Sequence, residues 1–137
     1  MNFGLLDNIM KDLFGRKNET LKSIMNFSVK YANADENIKD VARKMVDEDL
    51  NYIIITDSKK KYYMLSLTDI TPEVLRSNKP VKDLSLPKVP IFKESCKISD
   101  VYEDIKNCPA FLVKNDTNES IEGILTMDDY GRNVLNV

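Results

Sequence analysis

Histidine and tryptophan are absent from this 137-residue chain, and glycine is scarce at four residues. Without histidine the commonest general base is missing, and with it the usual catalytic triads and the histidine-containing zinc sites. Two cysteines, Cys96 and Cys108, make no metal site by themselves; in a chain without secretory features they read as reduced thiols. No apolar run approaches the roughly 18–20 residues needed to cross a bilayer, so no membrane span is expected. The first residues carry Asp7 and Asp12 and lack the basic-then-apolar layout of a secretory signal, which makes cytoplasm the expected location. Basic excess is missing too. With 20 Lys and Arg against 22 Asp and Glu, the net charge of -2 argues against a nucleic-acid surface. The one short basic cluster, Lys59, Lys60 and Lys61, reads as a solvated hairpin tip. A glycine-rich phosphate loop and a metal-spaced cluster are also lacking, so no catalytic residue and no metal ligand is assigned.

What is present is a repeat. The length fits one domain with one core, and the 42% hydrophobic fraction is ordinary for a globular chain. Sliding the sequence against itself by 60 residues keeps one register throughout. Leu21, Lys22, Ser23 and Ile24 fall on Val81, Lys82, Asp83 and Leu84. Val29 falls on Val89, and Ile38, Asp40 and Val41 fall on Ile98, Asp100 and Val101. Ser66 falls on Thr126, and Asp69 on Asp129.

Each copy reads as β-α-β-β-α. Short extended stretches, 27–31 and 87–91, alternate apolar residues. A helix follows, with Asp35 or Asn37 as its cap in the first copy and Ser95 in the second. Its buried face is expected to be Ile38, Val41, Ala42, Met45 and Val46, and then Ile98, Val101, Tyr102 and Ile105, at amphipathic spacing. Apolar hairpins come next, at 52–65 and 110–125, and a last helix begins near Asp69 and near Asp129. The first helix of the second copy is expected to be about one turn shorter. Pro72 suits a first helical turn. Units this small bury too little surface alone, so the two copies are expected to pack as one α/β (α+β) module, joined at 77–80. Ahead of them, Phe3, Leu6, Ile9, Met10, Leu13 and Phe14 form an apolar stripe that ends at Gly15. An amphipathic helix packed on the module or across a dimer is expected there. The boundaries read 1–18 for this helix, 19–78 for the first motif and 79–137 for the second.

The second copy ends its hairpin in Gly123-Ile124-Leu125-Thr126, with Asp129 three residues on; the first has Tyr63-Met64-Leu65-Ser66, then Asp69. With the Leu-Lys-x-Ile-Met lead-in, each copy resembles a cystathionine-β-synthase-type (CBS) motif, over about residues 20–135. The resemblance implies a tandem CBS, or Bateman, regulatory module that is a homodimer, acts on an effector protein, and is not an enzyme. It implies binding of AMP, ADP, ATP or a related adenosyl ligand as regulator, with no obligatory cofactor, in clefts between paired motifs. By that resemblance Asp69 and Asp129 hold ribose hydroxyls, and Ser66 and Thr126 hold ribose or phosphate oxygens. Val29 and Ile53 wall one adenine, and Val89 and Ala110 the other, with Gly123 permitting close approach. The residue chemistry suits this, because a carboxylate accepts two hydrogen bonds from a diol and a helix start favours phosphate. A hydroxyl followed three residues later by an acid is also ordinary helix capping. A ligand-free interaction scaffold of the same fold is therefore the alternative. Tyr63 stands where glycine is common, and Asp128 adds a second carboxylate beside Asp129 that repels phosphate.

Overall fold

The fold was obtained as a computed structural model that describes residues 3–108, 110–127 and 129–131. It contains α1 (Phe3–Gly15), β1 (Tyr31–Asn33), α2 (Ile38–Asp47), β2 (Tyr52–Thr56), β3 (Tyr62–Ser66), α3 (Pro72–Ser77), β4 (Ile91–Lys93), α4 (Ile98–Asn107), β5 (Ala110–Lys114) and β6 (Ile121–Thr126). Met127 and residues 129–131 are helical. Two three-stranded sheets result, ordered β1-β2-β3 and β4-β5-β6, each with one parallel and one antiparallel pairing. This is the mixed α/β architecture expected, with the N-terminal helix in place.

The compact units cut across the repeat. One comprises Val29–Val89; the other comprises Met1–Ser28 with Pro90–Val137. The lead-in of each copy therefore belongs to the unit that holds the hairpin of the other copy. Leu21 donates its N–H to the Cys96 carbonyl at 2.9 Å, and Asn26 exchanges two bonds with Ile124 at 2.8 and 2.9 Å on the free edge of β6. Likewise Val81 donates to the Glu36 carbonyl at 2.9 Å, Met64 to Pro87 at 3.1 Å and Val89 to Tyr62 at 2.9 Å on the edge of β3. These segments satisfy edge groups that would otherwise invite aggregation.

Apolar burial anchors them. Leu21 and Val81 are both 0% exposed. Leu21 packs with Ile98, Val101, Phe111, Val113 and Leu125; Val81 packs with Ile38, Val41, Met45, Ile53 and Leu65. Each such side chain contributes about 1.5–3 kcal/mol on leaving water. In α1, Ile9 and Leu13 are buried in the first of these clusters, and the Tyr102 hydroxyl donates to the Met10 carbonyl at 3.3 Å. Phe14 is half exposed and meets the Tyr102 ring edge-on at 5.8 Å. The side chains of Phe3, Leu6 and Ile105 lie outside the described residues.

Several local expectations shift. On α2 the buried set narrows to Ile38, Val41 and Met45, and Val46 is 71% exposed because it sits past the edge of the apolar stripe. The cap of α4 is Lys97 rather than Ser95, and the Asp100 carboxylate accepts the Lys97 N–H at 3.1 Å. The equivalent helices α2 and α4 have 10 residues each. The second copy is instead shorter in the link from helix to strand, 108–109 against 48–51. A bulge between Val113 and Lys114 and a longer hairpin loop restore the register. Lys59, Lys60 and Lys61 do form an exposed tip, where Asp57 Oδ1 accepts the N–H groups of Lys59 and Lys61, both at 2.9 Å.

Gly123 is required by the lead-in crossing β6. A Cβ there would stand 2.7 Å from the Met25 sulfur and 2.9 Å from the Asn26 carbonyl oxygen, and the latter is backbone that cannot swing aside. Gly123→Ala is expected to cost about 1–3 kcal/mol of stability, as overpacking does, read as a lower urea midpoint with an unchanged slope. A midpoint equal to that of the parent chain would show that the lead-in is not held against β6.

Candidate functional site

At the end of β6 the chain passes from strand to helix, and Thr126 stands at the junction, 5% exposed. Its Oγ1 accepts the N–H of Asp129 at 3.1 Å, which fixes the helix start and carries the half-buried Asp129 carboxylate to the same side. Across the ladder Ala110 faces Thr126 directly and is itself buried. The lead-in runs past this junction, because Asn26 is bonded to Ile124, and the Asn26 side chain then turns the chain by accepting the Ser28 N–H at 2.9 Å. A cleft of about 470 Å³ opens between them, lined by Ile24–Ser28, Ile124, Leu125, Thr126, Asp129 and Tyr130. Ile24, Met25 and Ile124 give it an apolar wall, and Phe27 is 66% exposed beside it. Cavities of this size suit a small organic ligand.

Behind the cleft, Tyr130 is buried and its hydroxyl donates to the Asp12 carboxylate of α1, with the Arg16 guanidinium 6.0 Å from its ring centre. Burial, and then the Asp12 carboxylate, push the Tyr130 phenol up to about 12, so it stays a donor at physiological pH.

The corresponding junction in the other unit is closed on itself. The Asp69 carboxylate accepts the Ser66 N–H at 2.9 Å, and Asp69 is exposed. Thr71 then accepts from Val74 at 3.2 Å and starts α3 with Pro72 in its first turn. The cleft of about 360 Å³ in this unit lies at the opposite end of the sheet. It is lined by Ala34, Ile55, Asp57, Tyr63, Val81, Lys82 and Leu84–Leu86, without Ser66 or Asp69.

Of the residues singled out from sequence, the first cleft thus joins Thr126 and Asp129. Ala110 lies across the ladder from Thr126, and Gly123 serves the approach of Met25 and Asn26. Ile53 is 0% exposed and faces the helix-covered core, with Leu65 as its partner across the ladder. Tyr52, not Ile53, stands opposite Ser66. Val89 is buried on the edge of β3, and Val29 is half-buried. Asp128 lies outside the described residues. Sequence reading missed Ile24–Ser28 as cleft residues; the one available signal was Asn26, a turn-forming residue between the lead-in and the stretch 27–31.

The end of the β4-β5-β6 sheet remote from Thr126 is polar. Glu94 and Glu122 each bury one carboxylate oxygen, and Asn115 donates to the other oxygen of Glu122 at 2.6 Å. Lys22 lies 3.9 Å from Glu94. The neighbouring Glu122 carboxylate and burial hold Glu94 above the usual carboxylate range. The bond from Glu94 and the Asn115 amide hold Glu122 below it. The two acids titrate as a pair rather than singly.

The comparisons with known proteins agree with this architecture. Residues 21–76 match the family model described as the CBS domain. The first copy is a CBS domain. The family model covers the first copy; the second repeats its element order and sheet pattern. No curated protein matches the sequence. Among solved structures, a hemolysin-like protein containing a CBS domain, from Oenococcus oeni PSU, superposes with a TM-score of 0.71 at 17% identity, over 91% of this chain and 96% of that one. The CBS domain pair of protein MJ0100, in complex with 5-methylthioadenosine and S-adenosyl-L-methionine, gives 0.64 at 19%, over 85% and 96%. Protein MJ1225 from Methanocaldococcus jannaschii, a proposed archaeal homologue of g-AMPK, gives 0.70 at 22%, over 95% of this chain and 53% of that one. At these identities the likeness establishes the fold. No described helix is long and apolar enough to cross a membrane.

The acid pair yields a pH dependence with a defined sign. Because folding raises the affinity of Glu94 for its proton, its contribution is fully present below the ordinary glutamate pKa and is lost as pH rises through the raised value. Glu122 acts oppositely, losing its contribution as pH falls below the ordinary range. Glu94→Gln is therefore expected to flatten the fall in melting temperature as pH rises above the ordinary glutamate range. A fall as steep in the variant as in the parent would remove Glu94 as its source.

Proposed function

We propose that this chain is a regulatory module that binds an adenosine compound, AMP, ADP, ATP or a related adenosyl ligand, in the Thr126–Asp129 cleft. The observation that carries the reading is the convergence of a hydroxyl, a carboxylate and an apolar wall on one cleft of about 470 Å³. The Asp129 carboxylate accepts the ribose diol. The Thr126 hydroxyl bonds a ribose or phosphate oxygen. Ile24, Met25 and Ile124 cover the base. The adenosyl ligands held by the MJ0100 domain pair support the ligand class.

Regulation needs a ligand that distinguishes two states. Asp129 is followed by Tyr130, which bonds Asp12 of α1, so ligand contact at Asp129 is one residue from a helix whose Phe14 is half exposed. On this reading α1 presents the state of the cleft to a cytoplasmic effector protein, and the chain works as a homodimer without catalytic chemistry of its own. The Ser66–Asp69 pair favours the scaffold reading for its own junction, since neither residue lines the described cleft of its unit.

Calorimetric titration of the chain with AMP, ADP, ATP, adenosine and S-adenosylmethionine tests this. Asp129→Ala is expected to abolish the heat of binding while the melting temperature without ligand stays within a few degrees of the parent. Asp69→Ala is expected to leave binding unchanged. Equal affinity in Asp129→Ala would exclude the cleft as the site, and no heat from any of the five at millimolar concentration would leave the scaffold.

A further inference from the structure

The two units place different side chains on one backbone frame, and the difference defines a second site. In the Val29–Val89 unit Lys82 donates its backbone N–H to the Ala34 carbonyl at 2.9 Å, and Ala34 donates to Thr56 at 2.9 Å. In the other unit Lys22 donates to Glu94 at 3.3 Å, and Glu94 to Lys114 at 2.9 Å. Ala34 thus occupies the position of Glu94, and Lys82 that of Lys22. Where the unit with Glu94 places that carboxylate 3.9 Å from its lysine, the unit with Ala34 has a methyl group at the same position, and its lysine pairs with the neighbouring Asp35 instead. The cleft of about 360 Å³ opens there, at the sheet end remote from Ser66.

Its lining states what would fill it. Lys82 is held by Asp35 at 2.9 Å, which uses one of its three donors and leaves two for a ligand. Asp57 lines the same cleft; Oδ1 serves the turn by accepting from Lys59 and Lys61, and Oδ2 takes no hydrogen bond among the described residues. Ile55, Val81 and Leu84 make an apolar floor, and the Tyr63 ring makes a side. A cation, an anion and an apolar wall in one small cleft match a zwitterion with an apolar side chain. We propose that this cleft binds a small apolar α-amino acid, with its carboxylate at Lys82 in the place that Glu94 takes in the other unit and its ammonium at Asp57. The site is separate from the Thr126–Asp129 cleft and does not depend on the adenosine reading.

The test is a ¹H–¹⁵N correlation titration of the full chain with L-leucine, L-isoleucine, L-methionine and L-phenylalanine, each to about 10 mM, a range that reaches weak affinities. Saturable shifts at Ala34, Tyr63, Val81, Lys82 and Leu84 are expected with at least one of them. Ala34→Glu, which supplies the carboxylate from within, is expected to abolish them. Lys82→Gln, at an exposed position that leaves the core intact, is expected to weaken binding about tenfold through loss of a charged bond. Asp129→Ala should leave them unchanged. No shift with any of the four, shifts confined to residues around Thr126, or undiminished binding in Lys82→Gln would overturn the proposal.

Discussion

Exchange of the lead-in segments is the constraint on which the structure depends. Each hairpin alone would leave the outer edge of its third strand unpaired and its helix-covered face open at one end. The lead-in of the other copy closes both at once, with Leu21 or Val81 buried in the core and a short run of backbone bonds along β6 or β3. The contiguous repeat of the sequence is therefore not the compact unit of the fold. Gly123 shows how tight the closure is, since the backbone of Asn26 lies where a side chain would begin.

The same exchange makes the candidate site. Thr126 and Asp129 alone form an ordinary helix start; the passing lead-in supplies the opposite wall and turns that start into a cleft. At the pseudo-equivalent junction Ser66 and Asp69 keep the local bond without forming part of the described cleft. The two halves thus share one frame and differ at its ends. One end is open at Thr126, and another is open at Ala34 where its counterpart carries acids.

Much of this was legible in the sequence, and the gaps have physical causes. The constant offset exposed the repeat, and amphipathic spacing placed α1, α2 and α4 close to where they lie. The convergence of Thr126 and Asp129 followed from their three-residue spacing at a helix start. The side of the sheet to which Ile53 points was not readable, because Ile53, Ile54 and Ile55 are all buried and an unbroken apolar run carries no alternation. The role of Gly123 was half legible. A glycine in a strand signals close approach, but nothing local told that the approaching group is Asn26 of the other copy. For the same reason Ile24–Ser28 went unassigned, since pairing across nearly a hundred residues leaves no local mark.

The central claim is that the lead-in and the Thr126–Asp129 junction together form an adenosine site. It is tested most directly by a crystal structure of the full chain grown with ADP at millimolar concentration. The account predicts the ribose hydroxyls within hydrogen-bond distance of the Asp129 carboxylate and the base against Ile24 and Met25. A structure with ADP seated instead at Ser66 and Asp69, or with none bound at a concentration that saturates ordinary nucleotide sites, would contradict it.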